Sequence, residues 1–81
     1  MQVFKRLFLK LKLLENRIEI VEGMIPFRKR QTIPLRSIAS VEVTKFSKQL
    51  AITTHDGKTH KFSLGGFGKA QRARDAIVEQ L

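Results

Sequence analysis

Two histidines, His55 and His60, are the side chains of this sequence best suited to acid–base or metal chemistry. Either role needs a second group nearby, because general-base catalysis and metal coordination both depend on converging side chains. The seven acidic residues are scattered and match no metal-ligand spacing. The chain has no cysteine, so disulfides and thiolate-bound metals are excluded. We therefore interpret both histidines as structural and predict a protein that is not an enzyme and has no cofactor or metal.

A glycine-rich segment before the last predicted helix is a second candidate, because backbone N–H groups at the start of a helix can bind phosphate. Its spacing matches neither G-x-x-x-x-G-K-[ST] nor G-x-G-x-x-G in a parallel strand-helix-strand unit. We interpret it as a connection from strand to helix, formed by Gly65, Gly66, Phe67 and Gly68.

Positive charge is the outlier in the composition. The net charge is +9, and residues 1–14 and 28–36 each carry +4. This balance favours attraction to polyanions and says nothing about the fold. If residues 28–33 form a strand, Arg28 and Arg30 share one face while Lys29 points away. The predicted binding site for an anion, a membrane or a partner comprises Lys10, Lys12, Phe27, Arg28, Lys29, Arg30 and Arg36.

Charge alone predicts weak binding to a membrane. Each basic side chain near an anionic membrane contributes about 1 kcal/mol, so three or four correspond to roughly millimolar affinity. A second contribution is needed, and Phe4, Phe8 or Phe27 beside the basic residues could supply it. The alternative is a solvated face that keeps the protein soluble and prevents other chains from pairing with an exposed sheet edge.

The elements that position these residues are best indicated by residues 31–43, which resemble the end of one strand, a corner and the start of the next strand. Pro34 cannot donate to a strand ladder, so we place it at a strand end or a sheet edge, with the corner in the residues that follow it. We expect the core to contain Ile33, Leu35, Ile38, Val41 and Val43.

Residues 3–14 fit either a helix or a strand. We favour a strand over residues 7–14, because a hairpin with residues 17–22 through the turn Glu15-Asn16 buries both apolar sets together. Residues 1–6 are then expected to form a frayed or helical lead-in.

The register of a later hairpin follows from its alternation. A two-residue loop at Asp56-Gly57 would set Ile52 opposite Lys61 and bring a lysine onto the apolar face. A three-residue loop that includes His55, with Gly57 left-handed, instead pairs Ile52 with His60 and Leu50 with Phe62. We predict the three-residue loop.

From residue 68 the apolar period becomes helical. The predicted stripe comprises Ala70, Ala73, Ile77 and Leu81. The sequence thus predicts one domain over residues 1–81, mainly β (α+β), with about six to seven antiparallel strands within residues 7–64 and a terminal helix over residues 68–81.

The corner TIPLRSIASVEV, the hairpin LAITTHDGKTHKFSL and the closing helix together resemble the bacterial pleckstrin-homology (PH)-like domains. The resemblance covers residues 7–81 and implies two nearly orthogonal sheets in a split barrel, with the helix capping one open end. The turn Glu15-Asn16 lacks the basic loop of members that bind inositol phosphates, so phosphoinositide binding is not expected.

We therefore expect a non-catalytic binding or adaptor module that docks a protein or peptide at a sheet edge or beside the helix, with peripheral association to an anionic membrane. The alternative is a basic nucleic-acid-associated protein, against which the chain lacks Trp and Tyr. Self-association through open edges is a third possibility. No run of 18 apolar residues occurs, and we expect a cytoplasmic location, peripheral at the inner membrane surface.

Overall fold

The structure, a computed structural model, describes residues 2–6, 8–23, 27–46 and 48–81, except for the side chain of Phe67. In these ranges seven strands precede one helix, which confirms the predicted mainly β, α+β chain. The elements are β1 (Gln2–Arg6), β2 (Leu9–Leu13), β3 (Arg17–Glu22), β4 (Lys29–Pro34), a 3-10 turn (Leu35–Ser37), β5 (Ile38–Val43), β6 (Gln49–Thr54), β7 (Thr59–Ser63) and α1 (Phe67–Gln80).

The strands form two antiparallel sheets, ordered β1-β2-β3-β4 and β5-β6-β7. Across the described ranges no strand of one sheet pairs with a strand of the other, so a closed barrel is not found. The finer prediction of a PH-like split barrel stays a prediction.

The first hairpin confirms the strand interpretation of residues 7–14, although β2 begins at Leu9, and it shows that the helical alternative is wrong. Leu11 lies opposite Ile20 and Leu13 opposite Ile18, and all four side chains are buried. The expectation for residues 1–6 was also wrong, because Gln2–Arg6 pair with β2 as a strand. This pairing satisfies the backbone donors and acceptors on the outer edge of β2, which outweighs the weak strand pattern of the segment. Met1 and Leu7 lie outside the described residues.

The corner between the sheets lies where the sequence predicted it. Pro34 ends β4, and the N–H of Leu35 donates to the carbonyl oxygen of Asn16 at 3.0 Å. Four of the five expected core residues are buried, namely Ile33, Leu35, Ile38 and Val41. Val43 is only half-buried, because β5 ends there and the chain leaves the sheet for the next turn.

The hairpin of β6 and β7 has the predicted register. Ile52 lies opposite His60, and Leu50 lies opposite Phe62. The N–H of Thr54 donates to the oxygen of Lys58 at 2.9 Å, and Gly57 has a φ of +89°. The three-residue loop is therefore confirmed.

Helix α1 packs on β5 and β6 through a stripe of small residues. Ala70, Ala73, Ala76 and Ile77 are buried in that contact. Leu81, predicted to belong to the stripe, is 58% exposed, because the helix ends at Gln80. Both sheets and the helix contribute to one apolar core.

The two histidines should differ in their effect on stability. The side chain of His60 is half-buried and bonds Gln31 at 2.8 Å across the two sheets, whereas His55 is exposed. We expect His60→Ala to lower the free energy of unfolding by about 1 kcal/mol and His55→Ala to change it by less than about 0.5 kcal/mol. Urea unfolding measures both, and equal, negligible losses would contradict the observed packing of His60.

Candidate functional site

The outer face of the four-stranded sheet collects basic side chains from three strands. Successive residues of a strand point to opposite faces, so the buried Leu9, Leu11 and Leu13 of β2 place Lys10 and Lys12 on the outside. The register then aligns Lys5, Lys10, Val21 and Arg30 in one row across the sheet.

We call the resulting surface the basic face and define it as Lys5, Lys10, Lys12, Arg28 and Arg30. These five side chains line one concave surface of about 370 Å³, together with the apolar Phe8, Leu9 and Val21. One acidic side chain, Glu19, lies opposite Lys12, and its carboxylate pairs with Arg17 at 3.1 Å. The basic face therefore keeps a strong excess of positive charge.

Crowding of like charges is visible at the centre of the basic face. The positive charges of Lys12 and Lys5 lower the pKa of Lys10 below its ordinary value, and burial and the charge of Arg28 lower it further. Unfavourable repulsion of this kind is relieved when an anion binds among the cations. The arrangement favours a polyanionic ligand over a neutral one.

Two exposed aromatic residues lie at the end of the four-stranded sheet where β1 ends and β4 begins. Phe8, in the turn from β1 to β2, is 51% exposed, and Phe27, directly before Arg28, is 85% exposed. The N–H of Gly23 donates to the oxygen of Phe8 at 2.8 Å, and the backbone of Phe27 lies close to Gly23. Apolar and cationic groups are thus combined on one surface.

The structure brings together only part of the predicted site. Lys10, Lys12, Arg28 and Arg30 share the basic face, and Phe27 directly precedes Arg28 in the chain without lining that concavity. Lys29 lies opposite Glu22 and points to the other side of the sheet, as the alternation of β4 predicts.

Two further residues do not take the predicted place. Arg36 lies in the 3-10 turn and lines a different concavity, so sequence proximity misplaced it. Phe4 is half-buried and packs against the core, so it is not available to a ligand. Sequence reasoning missed Lys5, which alternation would have placed on this face had β1 been predicted as a strand.

The carboxylate of Asp56 is bonded within the β6–β7 turn, and the ring of His60 is bonded to Gln31. The Asp56 carboxylate accepts hydrogen bonds from the Thr54 hydroxyl and, at 3.1 Å, from the N–H of Lys58. These bonds, led by that of Thr54, lower the pKa of Asp56. Among residues 2–6, 8–23, 27–46 and 48–81, no group of three or more His, Asp or Glu side chains could hold a metal ion.

Comparison with protein-family models, curated proteins and solved structures found no match for this chain. The resemblance to bacterial PH-like domains therefore stays a prediction. In the described part of the chain, no helix combines the length and the apolar character needed to cross a bilayer.

Proposed function

We propose that the protein is a non-catalytic binding module that attaches peripherally to an anionic lipid membrane through the basic face. One observation carries the proposal: the five basic side chains of that face line a concavity together with the exposed Phe8, and the exposed Phe27 directly precedes Arg28. The cations contact lipid headgroups, and the two rings enter the apolar boundary beneath them.

The magnitudes fit a reversible membrane protein. Five basic side chains contribute about 5 kcal/mol near an anionic surface. Burying an exposed Phe completely contributes about 1.5–3 kcal/mol, and partial burial of two rings adds about 2–3 kcal/mol on the same scale. The total of about 7–8 kcal/mol corresponds to roughly micromolar affinity.

A nucleic acid is the competing ligand for the same charges. Proteins that bind single strands interleave aromatic side chains with the cations, so that bases stack along the path of the backbone. Here Phe8 belongs to the turn from β1 to β2 and Phe27 to the loop before β4, and both lie at the end of the sheet. Two exposed rings at one end of the sheet suit insertion into a membrane better than stacking of successive bases.

A paired binding assay tests the proposal. The full chain is mixed with phosphatidylcholine vesicles containing about 30% phosphatidylserine, with pure phosphatidylcholine vesicles, and with single-stranded and duplex DNA, all at about 150 mM salt. We expect sedimentation with the anionic vesicles alone and at least about tenfold weaker binding to DNA. Tight, length-dependent DNA binding without vesicle binding would overturn the proposal.

A further inference from the structure

A second concavity lies away from the centre of the basic face, between an edge of each sheet. It has a volume of about 550 Å³, and its walls are β4 of the first sheet and the β6–β7 hairpin of the second. We call it the seam. Gln31 of β4 and His60 of β7 hydrogen-bond across it at 2.8 Å.

The edge of β4 presents unpaired backbone groups to the seam. In an antiparallel ladder, alternate residues bond to the neighbouring strand and the residues between them point away. The N–H of Leu35 donates to the oxygen of Asn16, so the residues of β4 that bond to β3 are those two and four positions before Leu35. Gln31 and Ile33 therefore bond to β3, while the N–H and carbonyl of Thr32 point away from β3 at the edge of the sheet.

The charged side chains that line the seam favour a ligand of opposite charge. Arg36 lies on the β4 side and Lys58 on the hairpin side, and both are exposed. The carboxylate of Asp56 adds one negative charge to the lining, so these three charged side chains leave a net charge of +1. Acidic side chains complement this lining, whereas a second copy of this chain carries the same net charge of +9 and is repelled.

We propose that the seam binds an extended, acidic segment of a partner protein, which adds to the edge of β4 as a fifth strand of the first sheet. Backbone hydrogen bonds to Thr32 hold the segment. Arg36 and Lys58 contact its carboxylates. This site is separate from the proposed membrane contact and does not depend on it.

The test uses a capped eight-residue peptide of alternating valine and glutamate. Its binding to the full chain is measured by fluorescence anisotropy and by the amide NMR shifts of the protein. We expect saturable binding, with the largest amide shift at Thr32. The same peptide with lysine in place of glutamate should bind at least about tenfold more weakly. A fully N-methylated peptide, which has no backbone donors, should not bind.

Two edge variants make the test specific. Thr32→Pro removes the N–H that points into the seam and leaves the β3 ladder intact, because proline is tolerated at such edge positions. We expect it to weaken binding at least about tenfold. The matched variant Thr59→Pro, at the edge of β7, should bind as the wild type does. The double variant Arg36→Glu with Lys58→Glu should also lose about tenfold or more.

Several outcomes would overturn the seam proposal. These are no binding of the glutamate peptide at about 1 mM, equal binding of the lysine or N-methylated peptide, or equal losses in the two proline variants. Vesicle binding of Thr32→Pro, measured in parallel, should be unchanged. Failure of the membrane assay with wild-type protein would leave the peptide result intact, so the two proposals fail separately.

Discussion

Replacing both Lys10 and Arg30 with glutamate is expected to weaken binding to phosphatidylserine vesicles by roughly a thousandfold. Both side chains lie in the central row of the basic face, with Lys5 and Val21. Each reversal removes one favourable charge of about 1 kcal/mol and adds an unfavourable one of similar size. Two reversals therefore cost about 4 kcal/mol. Vesicle sedimentation over a range of lipid concentrations measures the loss.

The matched control changes the net charge by the same amount elsewhere. Lys58→Glu with Arg72→Glu places two reversals on the β6–β7 hairpin and on α1, at exposed positions away from the basic face. We expect less than about a tenfold loss for this variant, because salt screens charges beyond about 8–10 Å. Equal losses for the two double variants would show that net charge, and not the basic face, governs binding.

Loss of binding in the first variant should not reflect loss of the fold. Lys10 is surrounded by Lys5, Lys12 and Arg28, whose positive charges lower its pKa, so its own charge opposes folding. Glutamate at this position replaces repulsion with attraction, so Lys10→Glu alone should unfold at a denaturant concentration no lower than the wild type.

Most of the fold could be predicted because apolar and polar residues alternate along the strands that have one buried face. The register of β6 and β7 followed from parity alone, since a shift by one residue would bring Lys61 onto the apolar face. Strand β1 could not be predicted in this way, because its exposed sides give a weak pattern and its stability comes from pairing with β2.

The basic face could be predicted only in part from the alternation of residues along each strand. Alternation predicts that Lys10 and Lys12 share a side of β2 and that Arg28 and Arg30 share a side of β4. The two pairs lie on one surface because β3 pairs with both β2 and β4 in a fixed register. The sequence alone does not establish that register. Arg36 was misplaced for the related reason that the corner at Pro34 turns the chain out of the sheet.

Gly23→Ala should destabilise the fold strongly, although it adds only one methyl group. Gly23 has a φ of +95°, a conformation that costs an L side chain about 1–2 kcal/mol. A Cβ atom there would lie 2.5 Å from the carbonyl oxygen of Phe27, so the loop must also move. Relieving an overpacked contact costs about 1–3 kcal/mol more, and the sum of about 2–5 kcal/mol is a large part of the stability of a domain this small.

The displaced loop carries Phe27 and leads into Arg28, so this substitution couples the fold to the proposed function. Gly57→Ala is the matched control, because Gly57 has a φ of +89° but open space around its Cβ position. We expect the control to lose about 1–2 kcal/mol and to bind vesicles as the wild type does. Gly23→Ala, measured at a temperature where it is folded, should bind at least about tenfold more weakly. Equal stability losses in the two variants would show that the methyl group is accommodated without moving Phe27. A larger loss for Gly23→Ala together with unchanged vesicle binding would show that the position of this ring does not determine binding.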